Sequence, residues 1–257
     1  MKKSARSLLV SALAASCAWL SLNAAAAVVY MNDFQGAVGS EWSSTSTSQT
    51  PTPYVINGQN VARQFLGEFG NQSVSLTLAG LPVHNQVTLD FDLYLIRSWD
   101  GNSGGATRDA WGNDYFGVNV LGGPALLYET FSNGNPAGQS FGGQDKAGGQ
   151  YDSMAGSAER YSLGYGFYDG IYTRYDNMDS AYHFSFRFAD SGNSLSLNFL
   201  GSGLQEITDE SWGLDNVAVG VLSTANTVSE PSALMLLVSG AAAMLVRRRN
   251  FLAQYRN

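Results

Sequence analysis

Cysteine is nearly absent from this chain of 257 residues, since Cys17 is the only one. No disulfide can therefore form within it. Histidine is almost as scarce: only His84 and His183 occur, and neither belongs to an H-E-x-x-H pattern or a close pair that would favour zinc. Both are expected at the surface. A Ser-His-Asp catalytic triad is not expected, because it needs a positioned histidine and the chain has only two.

Positive charge is the next scarcity. Charged residues make up 14% of the chain, against about 25% in an average soluble domain. Between residues 28 and 228, seven Lys and Arg stand beside twenty Asp and Glu. A phosphate-binding surface needs a basic patch, so nucleic acid is not expected as a partner. The acidic surplus suits solubility or the binding of cations.

The first 27 residues have the three parts of a secretory signal peptide. Lys2, Lys3 and Arg6 form a basic start, and an apolar stretch follows at 7–22. Small residues then lead to Ala26 and Ala27, after either of which signal peptidase is expected to cut. The protein is therefore expected to be exported across the inner membrane. The alternative is an N-terminal anchor helix.

The last 28 residues suggest a second processing segment. A 14-residue apolar run at 233–246 is shorter than the roughly 20 residues of a comfortable membrane span. The arginines after it would hold that end in the cytoplasm. Such a short helix, preceded by a proline, suits a transient anchor. The elements, in order, are Ser229, Glu230 and Pro231, the apolar run, and Arg247, Arg248 and Arg249.

This order resembles the PEP-CTERM sorting signal, a Pro-Glu-Pro tripeptide followed by an apolar helix and an arginine cluster. Glu230 and Pro231 match the second and third motif positions, whereas Ser229 replaces the first proline. The resemblance implies processing by exosortase, a membrane transpeptidase, and a final place at the cell surface or outside the cell. The alternative is an ordinary tail anchor.

Apolar and polar residues alternate along the middle of the chain, which is the period of half-buried β-strands. No mid-chain segment sustains helical spacing over three turns. About nine antiparallel strands predict an all-β sandwich or jelly roll over 28–222, with a linker at 223–229 and the sorting tail at 230–257. Helices are expected only in the signal peptide and the tail. The alternating runs are 28–34, 61–66, 74–78, 87–95, 115–120, 125–130, 182–188, 195–199 and 212–221.

Two segments carry a family resemblance. Residues 91–102 (FDLYLIRSWDGN) are similar to a central strand and its following loop in secreted bacterial concanavalin-like jelly rolls. Residues 209–217 (DESWGLDNV) are similar to the final strand of the same domains. The resemblance implies this fold and a structural Ca²⁺ ion. It leaves function open, because such folds host both lectin-like modules and glycosidases.

Two aspartates are candidate calcium ligands. Asp33 lies in phase with Val29 and Met31, and Asp215 with Val217, so both are expected on the core side of their strands. A buried carboxylate is costly unless it is paired, hydrogen-bonded or metal-bound. First and last strands often neighbour each other in sandwiches, so one Ca²⁺ ion could join both. The alternative is that each accepts N–H groups at a strand end.

Aromatic residues in the 97–111 loop suggest a glycan platform. Trp99 and Trp111 could stack on the C–H faces of a sugar, while Asp100 and its polar neighbours bind hydroxyl groups. The alternative is that the rings cover the core. Residues 206–210 are acidic, but alternation would put Asp209 on the face opposite Glu206 and Glu210, which does not suit a glycosidase pair.

The sequence therefore predicts a non-catalytic binding or structural module, with polysaccharide or matrix as its partner in exopolysaccharide or biofilm. No catalytic residue is assigned. The alternative is a secreted glycan-active hydrolase on the same fold.

Overall fold

The computed structural model describes residues 26–51, 54–56, 59–61, 63–102, 112–134, 138–146, 148–168, 174–175 and 177–223. In these ranges the chain forms strands and turns, and no helix is long and apolar enough to cross a membrane. Several predicted segments lie outside the described residues: the signal peptide as far as residue 25, Trp111, and the whole sorting tail.

Seventeen strands form the described part of the chain. They are β1 (Ala27–Asn32), β2 (Thr47–Gln49), β3 (Tyr54–Ile56), β4 (Gln59–Val61), β5 (Gln64–Phe69), β6 (Ser73–Ala79), β7 (Gln86–Arg97), β8 (Tyr115–Val120), β9 (Ala125–Thr130), β10 (Gly138–Gln139), β11 (Tyr151–Asp152), β12 (Glu159–Arg160), β13 (Phe167–Tyr168), β14 (Arg174–Tyr175), β15 (Asp179–Ala189), β16 (Ser194–Ser202) and β17 (Glu210–Leu222).

Two antiparallel sheets make a β-sandwich, which confirms the predicted fold class. The larger sheet has seven strands in the order β12-β15-β7-β17-β5-β2, and β1 pairs with the second half of β17. The smaller sheet has four strands in the order β6-β16-β8-β9. The remaining strands form short ribbons, β3-β4, β10-β11 and β13-β14.

The core lies between the two sheets and is rich in aromatic rings. Along β7 the alternation predicted from sequence is confirmed, because every second residue from Val87 to Leu95 is fully buried. Phe91 lies at the centre, with its ring centroid 5.3 Å from that of Phe199 on the opposite sheet. Burying each such ring contributes about 1.5–3 kcal/mol to stability.

Trp99 belongs to this core. Its side chain has no exposed surface, and its indole N–H donates a hydrogen bond to the Ser211 carbonyl at 2.8 Å. The prediction that Trp99 is an exposed sugar platform is therefore wrong, and the alternative reading, a ring that covers the core, is correct for it. An apolar ring next to polar loop residues gives no sequence signal that separates the two cases.

A second apolar cluster covers part of the outer face of the larger sheet. Tyr94 and Ile96 lie on the face of β7 that points away from the sandwich core. They are buried there with Phe65, Leu163 and Tyr165. The segment at 163–165 lies over them and is held by Asp179, whose buried carboxylate accepts the N–H groups of Leu163 at 2.9 Å, Gly164 at 3.0 Å and Tyr165 at 3.0 Å. Burial raises the pKa of Asp179, and these N–H groups oppose the increase.

His84 also departs from expectation. It is buried, with its imidazole nitrogens 2.7 Å from the Pro82 carbonyl oxygen and 3.0 Å from Asp190 Oδ1. The prediction of a surface position is wrong for His84, because both ring nitrogens find partners that offset the cost of burying the imidazole. His183 is exposed, as predicted, and contacts Asp92 at 2.8 Å.

Replacing Asp179 tests how the outer cluster is held. Asp179→Ala leaves three backbone donors without their acceptor, so we expect the free energy of unfolding to fall by about 2–4 kcal/mol. Urea denaturation followed by tryptophan fluorescence measures it. Asp145→Ala, at an exposed aspartate, is the control and should change little. Equal denaturation midpoints for the two variants would contradict this role.

Replacing Trp99 tests its place in the core. Trp99→Ala should lower the free energy of unfolding by about 3–5 kcal/mol, because it leaves a cavity and removes the donor to the Ser211 carbonyl. Calorimetry measures the loss. Tyr161→Ala is the matched control, since that ring is 54% exposed. A Trp99→Ala protein as stable as wild type would place the ring outside the core.

Candidate functional site

Three carboxylates meet at one end of the sandwich. Asp100 follows β7, Asp114 directly precedes β8, and Glu210 is the first residue of β17. Strands β7 and β17 are neighbours in the larger sheet, while β8 belongs to the smaller one. The cluster therefore lies where the two sheets approach each other.

The backbone around Asp100 fixes its distance from Asp114. The Asp114 N–H donates to the Gly101 carbonyl at 3.2 Å, and the Asp100 N–H donates to the Asp114 carboxylate. Gly101 has a φ of 64°, and a Cβ there would lie 2.2 Å from the Gly138 carbonyl oxygen. Only glycine fits this turn, which holds Asp100 against the start of β8.

The core continues directly beneath the carboxylates. Asp114 is in phase with Phe116, and Glu210 with Trp212, so both acids extend the inward rows of β8 and β17 at the starts of these strands. The rings of Phe116 and Trp212 are fully buried, with centroids 5.3 Å apart. The acids thus cap an aromatic core rather than face open solvent.

The oxygens of the cluster are close together and incompletely satisfied. One oxygen from each of Asp100, Asp114 and Glu210 lies within 4.8 Å of the others. Asp114 and Glu210 have no exposed surface. Glu210 accepts the Gln205 N–H at 2.6 Å through one oxygen, but no donor group of the described residues reaches Glu210 Oε1 or Asp114 Oδ1.

Burial and mutual repulsion disfavour the charged forms of these acids. Loss of solvent is the main cause that raises the pKa of Asp114 above its usual range. Burial and then the charge of Asp114 raise the pKa of Glu210 as well. Carboxyl groups in this state bind either a proton or a cation.

Sequence reasoning found only part of this cluster. It selected Asp100, but as a sugar contact, and it treated 206–210 as a continuous alternating run. Residues 207–209 instead form a turn, and Glu210 begins β17. The available signal was an acid two residues before an inward aromatic ring, which occurs at both Asp114 and Glu210.

Asp33 is not where the sequence places it. Val29 is an extra residue in the pairing of β1 with β17, which leaves Met31 exposed instead of inward. Asp33 is exposed in the following turn, and its carboxylate accepts the Gln35 N–H at 3.2 Å. The prediction of a core-side position is wrong here, and the alternative, a carboxylate that accepts a loop N–H, describes this residue.

Asp215 is buried but faces the other way. A bulge at Asp215 and Asn216 shifts the phase of β17, so Asp215 pairs with Asp92 on the outer face while Val217 faces the core. Its two oxygens accept the Tyr94 hydroxyl and the Asn216 N–H, each at 2.8 Å. Burial raises its pKa to about 7. A Ca²⁺ ion shared by Asp33 and Asp215 stays a prediction.

A second feature is the outer face of the smaller sheet. Tyr115 and Tyr128 stack with ring centroids 4.9 Å apart and planes 6° from parallel. Tyr128 lies over Gly117, where a Cβ would come within 2.9 Å of its ring, and it is 54% exposed. Uncharged polar side chains share this face: Ser73, Ser75, Thr77, Asn119, Ser194, Ser196, Asn198 and Ser202.

This face offers hydrogen-bonding groups in fixed positions. Asn198 Nδ2 donates to Asn119 Oδ1 at 3.2 Å, and the hydroxyls of Thr77 and Ser196 lie 3.1 Å apart. Asn113 Nδ2 donates to the Tyr115 hydroxyl at 3.1 Å. Two rings with rows of amides and hydroxyls can bind a flat ligand that has both apolar and hydroxyl surfaces.

A polar cleft of about 410 Å³ lies beside the turn at residues 207–209. It is lined by Gly166, Phe167, Tyr168, Gln205, Glu206, Thr208 and Asp209. Tyr168 is exposed at its edge, whereas the Asp209 carboxylate accepts the Ser98 hydroxyl. The cleft is thus open to small polar molecules.

Comparison with known proteins gives no family assignment. No family model matches the chain, and no curated protein matches it. Among solved structures, it is similar to the CBM22-1 xylan-binding domain of Paenibacillus barcinonensis Xyn10C, with 13% identity, a TM-score of 0.34 and coverage of 79% of this chain and 99% of that domain. The K3 cleaved adhesin domain of Lys-gingipain from Porphyromonas gingivalis has 14% identity and a TM-score of 0.34, covering 76% and 99%. A carbohydrate-binding module of Cellvibrio mixtus lichenase 5A, in complex with cellotriose, has 10% identity and a TM-score of 0.30, covering 76% and 98%.

Proposed function

We propose that this protein is an exported, non-catalytic glycan-binding module that works at the cell surface or in an exopolysaccharide or biofilm matrix. The observation that carries the proposal is the stacked pair Tyr115 and Tyr128 on an uncharged polar sheet face. Sugar rings have apolar C–H faces and peripheral hydroxyls, and this surface presents both complementary groups.

The chemistry of the face favours a neutral polysaccharide. The outward positions of β6, β8 and β16 carry serine, threonine, asparagine, tyrosine and small or apolar residues, without a charged side chain. An acidic glycan would need a cation at the surface to offset its charge. Hydroxyl and amide groups instead can exchange hydrogen bonds with the hydroxyls of a neutral chain.

Catalysis is a poorer fit to the same residues. Retaining glycosidases use two carboxyl groups about 5–5.5 Å apart on either side of the scissile bond. Asp114 and Glu210 are close enough for that role, but neither has any exposed surface. A polysaccharide therefore has no access to them. Glu206 and Asp209, which line the polar cleft, are the acids that a hydrolase could use there.

Tyr128 is the residue whose loss tests binding. Removing its half-exposed ring should weaken the binding free energy by about 1–2 kcal/mol, which raises the dissociation constant roughly 5–30-fold. Affinity electrophoresis through gels of neutral polysaccharides, followed by calorimetric titration of the ligand found, measures the change. We expect Tyr128→Ala to bind more weakly and Tyr128→Phe to retain most of the affinity.

Tyr161→Ala is the matched control, because that ring is equally exposed but lies away from the smaller sheet. The binding proposal is contradicted if Tyr128→Ala and Tyr161→Ala bind as wild type. Release of reducing ends that disappears in Glu206→Gln would instead support the hydrolase alternative.

The sorting proposal concerns the chain beyond the sandwich. Deleting residues 229–257 should release the protein into the periplasm or medium, since the proposed exosortase signal is then missing. Fractionation of an exosortase-bearing host measures this, and replacing Arg247, Arg248 and Arg249 with Ala tests the charged part alone. Mass spectrometry that finds Asn257 on the mature surface protein would contradict tail removal.

A further inference from the structure

Two buried carboxylate oxygens at the end of the core have no hydrogen-bond donor among the residues that the structure describes. Asp114 Oδ1 and Glu210 Oε1 belong to side chains with no exposed surface, no other described residue donates a hydrogen bond to either oxygen, and the two carboxyl groups interact with each other. Buried carboxylate oxygens are normally hydrogen-bonded or bound to a metal. Both oxygens belong to the same group of three acids, so one ligand between them would satisfy both.

We propose that Asp100, Asp114 and Glu210 together bind one calcium ion, which links the two sheets at this end of the sandwich. The site differs from the predicted pair Asp33 and Asp215. Of that pair, Asp33 is exposed, and both oxygens of Asp215 have hydrogen-bond partners. The proposal is also independent of the proposed glycan-binding face.

The donor set selects the ion. All three residues offer carboxylate oxygens, and Ca²⁺ prefers 6–8 oxygen ligands at about 2.3–2.6 Å. Oxygens on opposite sides of such an ion lie about 5 Å apart, which accommodates three oxygens within 4.8 Å of one another. Zinc favours nitrogen and sulfur donors, which these three residues do not supply.

Backbone N–H groups orient the two buried carboxylates toward a common point. The Asp100 N–H holds the other oxygen of Asp114, and the Gln205 N–H holds the other oxygen of Glu210, so the unpartnered oxygens are fixed in place. A dication would also cancel the repulsion between the acids. Water molecules would complete the coordination.

Position determines what the ion would do. Asp100 and Glu210 extend from β7 and β17 of the larger sheet, and Asp114 from β8 of the smaller one. A common ion would join three chain segments that are 14 and 96 residues apart in sequence. We therefore expect a structural role, in which bound calcium raises the melting temperature.

Calorimetry of the purified full chain tests the site. The protein is stripped with EDTA, dialysed at pH 8 and heated with and without CaCl₂. We expect Ca²⁺ at a hundredfold excess over Kd to raise Tm by about 5–10 °C, and titration calorimetry to give one ion per chain. Mg²⁺ at equal concentration should have a smaller effect, because it requires stricter octahedral geometry.

Variants locate the ion. Glu210→Gln and Asp114→Asn keep the shape of each side chain, and in EDTA both should be at least as heat-stable as wild type, since each replaces one of two buried acids that repel each other when ionised. Both should lose the Tm increase caused by Ca²⁺. Asp215→Asn is the control, a buried carboxyl with both oxygens partnered, and it should retain the full increase.

Other results would overturn the proposal. One is a wild-type Tm that Ca²⁺ leaves unchanged, which would mean that Asp114 and Glu210 share a proton instead. Another is an increase that survives in Glu210→Gln and Asp114→Asn or is lost only in Asp215→Asn. If either variant fails to fold, Tb³⁺ binding to the wild-type protein tests the site instead. Trp99 adjoins Asp100, so excitation of tryptophan should produce luminescence from a bound Tb³⁺ ion. Emission that Ca²⁺ displaces supports the site, and its absence overturns it.

Discussion

The pairing of β7 with β17 is the interaction on which the rest of the sandwich depends. These are the two longest strands, with 12 and 13 residues, and each lies between other strands of the larger sheet. Their register sets Trp212 against Leu95 and Leu214 against Leu93, which aligns a single inward row. Because side chains alternate with a period of two, a slip of one residue would move that row to the solvent face.

The bulge at Asp215 and Asn216 shows how that constraint is met along the whole of β17. Asn216 has a φ of 51°, a left-handed conformation that asparagine tolerates better than most residues. The extra residue allows Leu214 on one side and Val217 on the other to face the core together. It also turns Asp215 outward, beside Tyr94, where its charge is hydrogen-bonded instead of exposed to the apolar interior.

The limits of sequence reasoning follow from the same features. Alternation located β7, β8, β9, β15, β16 and β17 because one face of each is apolar and the other polar. It failed at Asp33 and Asp215, where a bulge changes the phase by one residue without a local signal. It failed at Trp99 because burial depends on loops far away in the chain. The acidic cluster was out of reach for a related reason: Asp114 and Glu210 are brought together only by the packing of one sheet on the other.

The pairing of β1 with β17 places the two ends of the domain side by side. Ala27 lies opposite Val221, so the described chain enters and leaves the sandwich at the same pole. Glu210 is at the other end of β17, and a strand of 13 residues spans about 40 Å. An attachment through residues before 26 or after 223, as in the sorting proposal, would therefore hold this pole. Under that proposal the opposite pole, with Asp100, Asp114, Glu210 and the loop that precedes β17, would face away from the attached surface.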